Sequence, residues 1–520
     1  MKGVIALIFS QIIIKILGLV YKLYLTNKEG FGDSGNAIYS AGFQIYALLL
    51  TISSIGVPNA VAKMISEKIS IGDKKGAQRI FRISFFAFSI IGFTCSLTLF
   101  AGAKFISNTL LQIPEAKNSL IALSPAIFFV SIISVIRGYF NGMQSMSATA
   151  NSQTIEQVLK TVLTIILVEF ASNISKDDTC LMAAAGNLAT TFATLGCFIY
   201  LFKYYISRRN GLDLNLHSSK QFKKIRGLTI IKNIICVTIP MSLTSILISI
   251  NKNIDSITVV RGLKEFLSSE EAKLQYGILS GKVDTLVSFP LSFNMAFSTV
   301  LVPAVSSAFA RKNNKEGLEK IAFSLLITIL ISLPSSIGMC MFSDQILDLL
   351  FPNAQLGGFV LKIASISILF TSLCQTINGS LQGIGKIFVP AISLSIGVFI
   401  KFILNLVLIP LPTDVFIFGG INGAAISTVI CHMIAFFISF SVLKKHTKIH
   451  LDITKYIFKP ILATLIMVIA LYCSNSLFIH ITTVKIATVL SILISIFTYL
   501  SSLLLLKVLS KEDLSMLKFF

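Results

Sequence analysis

The chain has 520 residues, 54% of them hydrophobic and 13% charged, with a formal net charge of +21 and a mean hydropathy of +0.84. A soluble protein of this size has too little interior to hide so much apolar surface, so lipid must be part of its solvent. The Lys and Arg residues sit in short segments between apolar runs, which fits anionic headgroups and excludes nucleic acid as the partner the net charge alone would suggest.

An apolar stretch of about 20 residues crosses the hydrocarbon core as a helix. In chain order such stretches fall near 4–25, 38–62, 83–105, 119–143, 155–173, 180–202 and 233–255. They continue near 276–305, 321–343, 359–381, 388–410, 418–443, 457–477 and 484–507. The expected fold class is an all-α polytopic membrane protein with about 14 transmembrane helices. The first run carries Lys15 and Lys22 and lacks a small-residue cleavage site, so it reads as a span, not a removable leader.

The loops set the orientation. Lys68, Lys74, Lys75, Arg79 and Arg82 follow span two, and Arg208, Arg209, Lys220, Lys223, Lys224 and Arg226 follow span six. Arg311, Lys312, Lys315 and Lys320 follow span eight; Lys444, Lys445, Lys448 and Lys455 follow span twelve. The odd-numbered segments 342–358 and 409–420 hold no Lys or Arg. Even loops and both termini are therefore expected on the cytoplasmic side. The loop after span seven departs from the pattern, with Arg261, Lys264 and Lys273 beside Glu265, Glu270 and Glu271.

The chain also repeats itself. Arg137-Gly-Tyr-Phe-Asn-Gly-Met143 aligns with Asn378-Gly-Ser-Leu-Gln-Gly-Ile384, Gly138 matching Gly379, 241 residues on. The same offset pairs Gly142 with Gly383, Lys160 with Lys401, Gly76 with Gly317 and Arg79 with Lys320. Six spans per repeat is an even number, so the two lobes share one orientation and are expected to relate by an axis along the membrane normal. The expected organisation is a first lobe over 1–205, a basic cytoplasmic loop over 206–232, a second lobe over 233–445, and two further spans with a cytoplasmic tail over 446–520. Duplication of that kind suits alternating access around a site near the midplane.

A charge at the bilayer centre costs about 2.5–3.5 kcal/mol on insertion scales, so intramembrane charges are the candidate site residues. The cations are Lys15, Lys22, Arg137, Lys160, Lys252 and Lys282, with Lys401 in the second lobe. The acids are fewer: Glu156, Asp255 and Asp284, read as charge partners or coupling groups. Lys22, Arg137 and Lys252 can also snorkel to an interface, and Lys401 can be a structural charge. The excess of positive charge would attract an anion such as a phosphate and repel an organic cation. Gly56-Val-Pro58 in span two, and Pro290 and Pro303 in span eight, are candidate kinks that could serve as hinges or gates.

Soluble catalytic chemistry is not written into the chain. The phosphate-binding G-x-x-x-x-G-K-[ST] loop, H-E-x-x-H and G-x-S-x-G are all missing. The eight cysteines stand singly with no C-x-x-C pair, so no metal site, disulfide framework or cofactor is expected.

At this point the sequence resembles a known family. The motifs are Lys15-Ile-Leu-Gly-Leu-Val-Tyr21, Gly56-Val-Pro-Asn-Ala-Val-Ala-Lys63, and Arg137-Gly-Tyr-Phe-Asn-Gly-Met-Gln144 with Glu156-Gln157. The second lobe adds Tyr276-Gly277, Phe289-Pro290, Leu301-Val-Pro-Ala304 and Gly379-x-x-x-Gly383-x-Gly385-Lys386. Together they resemble the stage V sporulation protein B and lipid II flippase (MviN-like) branch of the multidrug/oligosaccharidyl-lipid/polysaccharide exporter superfamily. That resemblance implies a fourteen-helix, V-shaped bundle in the bacterial inner membrane. It implies transport of an undecaprenyl-diphosphate-linked glycan, a lipid II-type peptidoglycan precursor, to the outer leaflet. It also implies a cationic cavity between the lobes and an apolar groove for the lipid tail on the last two helices. Lys15 falls where lipid II flippases keep a cavity arginine; their next arginine falls at Tyr21, beside Lys22, and their span-two arginine near Leu50. Their Asp-Arg-Leu becomes Asp284-Thr285-Leu286, with Lys282 just before it. These departures favour the sporulation-protein side of the branch.

Three alternatives stay open: a flippase for another lipid-linked polysaccharide or teichoic-type unit, a cation-coupled drug exporter, and a non-transporting scaffold for cell-wall synthases. The drug exporter would want a buried carboxylate in the first lobe, for which Glu156 is the candidate. Expected partners are the lipid-linked anionic glycan, membrane lipids and, in the wall-building readings, cell-wall synthases; the protein itself is expected to be a monomer.

Overall fold

The computed structural model describes residues 2–54, 56–175, 178–212, 227–311, 313–352, 356–449 and 451–508. The basic positions Lys220, Lys223, Lys224 and Arg226, and Lys312, lie outside them. Hydrocarbon offers no partner to a backbone N–H or C=O, so a spanning segment closes its hydrogen bonds within itself. The described residues accordingly form helices and turns, with no strand among them.

In the first half the helices are α1 (Lys2–Asn27), α2 (Gly32–Ser54), α3 (Val57–Ser70), α4 (Lys74–Phe105), α5 (Ala116–Gly142), α6 (Met146–Ile174), α7 (Thr179–Leu212), α8 (Gly227–Leu263) and α9 (Ser269–Gly277). The second half has α10 (Asp284–Ala310), α11 (Asn314–Met341), α12 (Ser343–Leu350), α13 (Gly358–Gly383), α14 (Val389–Leu408), α15 (Gly420–Thr447), α16 (Lys459–Ile479) and α17 (Val484–Leu505). Short π-helical turns adjoin α4, α10 and α16, at Ile106–Leu110, Ile278–Val283 and Thr454–Phe458.

Among the described residues, 10 helical stretches are long and apolar enough to cross a membrane. Four more helices, α1, α6, α8 and α10, have 26, 29, 37 and 27 residues, ample for a core about 30 Å thick at about 1.5 Å per residue. The protein is therefore an all-α, multi-pass membrane protein.

Span two differs from the kinked helix expected. It is two helices, α2 and α3, parted at Gly56, whose φ of 89° lies in the left-handed region that suits glycine. Pro58 sits in the first turn of α3, where its missing N–H has no intrahelical partner to lose. Span eight behaves in the opposite way. α10 runs unbroken from Asp284 to Ala310, through Pro290 and Pro303, and the irregular backbone is the π-helical turn just before it. α9 was not expected as a helix. Ser268 caps it, with Glu271 accepting from the Ser268 N–H at 3.1 Å in a reciprocal box. The Ser268 hydroxyl, and then its N–H, hold the Glu271 carboxyl below its usual range.

The chain divides into two compact units, Met1–Arg261 with Ser268–Gly277, and Gly262–Leu267 with Ile278–Phe520. In the first, α5 is the central post, packed by α2, α3, α4 and α7, with α6 lying between α1 and α7. α8 packs here too: Ser249 and Thr51 hydroxyls are 2.8 Å apart, and Asn253 donates to the Gln44 carbonyl at 3.1 Å. In the second unit α13 is the post, packed by α10, α11 and α15, with α14 against α15 and α16 against α11 and α17.

The two posts are built alike. A methyl group at Gly138 would lie 2.9 Å from the Pro58 carbonyl oxygen, and at Gly142 2.8 Å from that of Ala62, so α5 meets α3 backbone to backbone. At Gly379 it would lie 2.8 Å from Ser298 Oγ, and at Gly383 2.9 Å from Val305 Cβ, as α13 meets α10. Both posts then end in the same way. Gln144 has φ 59° and Gly385 φ 85°. The next N–H returns to a carbonyl five residues back, Ser145 to Phe140 at 2.9 Å and Lys386 to Leu381 at 2.8 Å. The 241-residue repeat is thus a repeat of helix contacts and caps.

A side chain in the left-handed region costs roughly 1–2 kcal/mol, offset in part by the roughly 0.5–1 kcal/mol of entropy that glycine loses. Gln144→Gly is therefore expected to raise stability by about 0.5–1 kcal/mol, and Gly385→Gln to lower it by a similar amount. Thermal melting in detergent checks both. Gly383→Val, which overpacks the α13–α10 contact, is expected to cost about 1–3 kcal/mol in the same assay.

Candidate functional site

The first unit gathers most of the candidate charges. Lys15 of α1 and Lys252 of α8 are both exposed. Two turns along α1, Lys22 Nζ lies 4.6 Å from the centre of the Tyr39 ring and donates to Ser40 Oγ at 3.3 Å. Lys160 of α6 is 8% exposed. Its Nζ lies 4.2 Å from the Phe43 ring centre and 5.2 Å from that of Tyr21. Aromatic faces carry negative potential, so these rings let two ammonium groups sit among α1, α2 and α6 at lower cost. Tyr39 and Phe43 stack at 6.0 Å with planes 8° apart.

These rings are neighbours of two candidate charges that sequence reasoning passed over. Their one trace in the sequence is the one-turn spacing of Tyr39 and Phe43. Nothing in the chain order says that a lysine more than a hundred residues away would face them.

Arg137 of α5 sits differently. Its Nη2 donates to Glu156 Oε2 at 2.7 Å, its Nε to Ser152 Oγ at 2.9 Å, and Nη2 also reaches Cys197 Sγ at 3.4 Å. Cys197 in turn donates to the Ser152 carbonyl at 3.4 Å. One guanidinium so joins α5, α6 and α7. Its charge is balanced by Glu156, which is the charge partner the structure gives it.

The unexpected positive charge after span seven is also taken up. Lys273 of α9 pairs with Glu115 at the start of α5, and Arg261 donates to the Thr109 carbonyl at 3.0 Å. Asp255 is half-buried on α8, one turn from Lys252.

In the second unit Lys282 is 0% exposed. It lies in the π-helical turn and donates to the Leu356 carbonyl at 2.6 Å, just ahead of left-handed Gly357 at the start of α13. Asp284 is half-buried at the first position of α10. Lys401 is 1% exposed on α14, with buried Asn405 one turn on. The Pro303 side chain lies outside the described residues. Pro290 lines an apolar cavity of about 370 Å³ with residues of α11, α12, α16 and α17, among them Met467 and Tyr499. Among the described residues, no group of three or more His, Cys, Asp or Glu side chains comes together as a metal site would require.

Duplicated helical posts and intramembrane cations define a polytopic α-helical protein of the transporter type. A family model described as polysaccharide biosynthesis protein matches residues 1–309, and the chain belongs to that family. The model described as MatE matches residues 240–407. Lipid II flippase MurJ of Bacillus subtilis (strain 168) is 24% identical over 460 residues, covering 86% of this chain and 82% of the relative. Stage V sporulation protein B of the same organism is 23% identical over 420 residues, covering 76% of this chain and 79% of the relative. Among solved structures, lipid II flippase MurJ in an inward closed conformation has a TM-score of 0.70 at 18% identity, covering 96% of this chain and 97% of that one. That likeness is one of fold. The resemblance read from the motifs and the family match agree.

Arg137→Met is expected to lower stability by about 2 kcal/mol, between the ~1 kcal/mol of an interhelical hydrogen bond in lipid and the ~3–5 kcal/mol of a buried pair broken on one side. Arg137→Met with Glu156→Leu is expected to cost less than the sum of the singles. A double-mutant cycle read by thermal melting checks the coupling.

Proposed function

We propose that this chain is a flippase that moves a lipid-linked, anionic glycan from the cytoplasmic to the outer leaflet of a bacterial inner membrane. The observation that carries the reading is the gathering of cations in the first unit, with Lys15 and Lys252 exposed on α1 and α8 and Lys22 and Lys160 held against the rings of Tyr39 and Phe43. A diphosphate supplies exposed lysines with charge-assisted hydrogen bonds. The names of the relatives support a substrate of this class: an undecaprenyl-diphosphate-linked unit, of the lipid II type.

The proposed route is alternating access of two lobes in a fourteen-span bundle, with both termini cytoplasmic. The fourteen spans are the ten apolar stretches together with α1, α6, α8 and α10. The diphosphate enters from the cytoplasmic side and rests on Lys15 and Lys252, with Lys22 on the same helix deepening the positive field. Lys160, Lys282 and Lys401 contribute from buried positions. Gly56 and Pro58 act as the hinge of the first lobe, and Pro290 and Pro303 serve the second. The lipid tail takes the apolar cavity beside α16 and α17. Asp255 and Asp284 are the proposed coupling acids, with membrane potential or a counter-ion as the driving force. The protein works as a monomer, alongside cell-wall synthases that use its product.

The drug-exporter reading is weakened by the Arg137–Glu156 pair at 2.7 Å. Coupling a cation to export needs a carboxylate that can give up its partner, and this one is held by a guanidinium that does not lose its proton.

The test is flipping of a labelled undecaprenyl-diphosphate glycan in proteoliposomes. Hydrogen bonds to charged groups are worth about 1.5–3 kcal/mol, so Lys15→Gln and Lys252→Gln are each expected to slow flipping by about tenfold or more without loss of folded protein. Wild-type protein that stays folded yet does not flip under an imposed potential would move the reading to a scaffold. Topology has its own check in a cysteine-free background. Gln112→Cys should react with an impermeant maleimide on intact cells, and Lys445→Cys only after permeabilisation.

A further inference from the structure

A second cavity in unit two has no part in the proposed transport. It encloses about 540 Å³ between α11, α13, α15 and the segment leading into α16. Its wall is apolar and partly aromatic, with Leu325 and Ile329 from α11, Leu373 from α13 and Phe436 and Phe440 from α15. It shares no lining residue with the cavity beside α17. Its Ile457 and Ile461 edge is 50% and 42% exposed. A wall that is apolar and exposed on a membrane protein faces hydrocarbon, so the cavity opens sideways into lipid.

One end of this cavity is basic. Lys444 is part of its lining, and Lys445 and Lys448 follow on the same end of α15. The acid close by, Asp452, is engaged locally, accepting from the Thr454 N–H at 3.0 Å. An apolar pocket in the hydrocarbon with a lysine at its mouth is complementary to one kind of bilayer molecule: an acyl chain carrying an anionic headgroup. The volume suits a single acyl chain. We propose that unit two binds one anionic phospholipid here, an acyl chain between α11, α13 and α15 and the headgroup on Lys444. A lipid so seated fills the gap between α15 and α16 from the membrane side and fixes how the last two helices join the rest of their unit.

The chain contains no tryptophan, which makes the test direct. Phe440→Trp, an aromatic exchange in the wall, becomes the sole tryptophan of the full-length protein in phosphatidylcholine vesicles. Brominated phosphatidylglycerol and brominated phosphatidylcholine are then compared as quenchers. The expected result is a preference for phosphatidylglycerol of about fivefold, what one lysine near an anionic headgroup supplies. Adding Lys444→Gln should bring it close to one. A sole tryptophan at Phe399, 64% exposed on α14, should show no preference in either background. Equal quenching by the two lipids at Phe440→Trp, or a preference that survives Lys444→Gln, overturns the proposal. Phe436→Trp gives the same readout from the neighbouring turn if Phe440→Trp does not fold. No transport is measured, so this result stands or falls independently of the flippase reading.

Discussion

Hydrocarbon cannot hydrogen-bond, and almost everything in this structure follows from that. Backbone groups close on themselves in helices, and each charge carried into the membrane has to be met by the chain itself. The protein meets its cations in different ways. Arg137 has a carboxylate and a hydroxyl, Lys160 has two aromatic faces, and Lys282 has a main-chain carbonyl. Lys15 and Lys252 are instead left exposed. Exposed cations of this kind are what the proposed anion site rests on.

The second organising contact is glycine against backbone. Without a hydrophobic drive between helices in lipid, close approach of main chains supplies the packing attraction. Gly138 and Gly142 bring α5 onto α3, and Gly379 and Gly383 bring α13 onto α10. Each post ends in a left-handed residue followed by the same backbone hydrogen bond. The duplication has nevertheless drifted. The first unit has a broken span at Gly56, while the second has an unbroken α10 with its irregular turn moved ahead of Asp284. The cap residue is Gln144 in one post and Gly385 in the other.

Both apolar cavities described above lie in the second unit, and their linings differ in kind. The one beside α16 and α17 is lined by apolar residues, Ser335, Ser495 and the Tyr499 side chain, whose hydroxyl donates to the Leu330 carbonyl at 2.8 Å. The one beside α15 has an ammonium group in its wall. That difference separates a site suited to a neutral chain from one suited to an anionic lipid.

Much of the architecture was legible in the sequence, because hydropathy and helix length act locally. The expected spans at 119–143, 359–381 and 484–507 are α5, α13 and α17 to within three residues. The repeat was legible because Gly138, Gly142, Gly379 and Gly383 are needed for close helix contact and stand at a constant offset. Tertiary structure alone decided which charges were met and by what. Arg137 and Glu156 are nineteen residues apart, and no pattern says that they pair while Lys15 and Lys252 stay exposed. The rings around Lys22 and Lys160 were equally hidden, since a cation over an aromatic face depends on three helices meeting. Nor did the order of the repeat reveal that α8 would pack with the first unit, through Ser249 and Asn253. Local chemistry sets which segments enter the membrane; which charges they bring together depends on how the helices pack, and packing is not a local property.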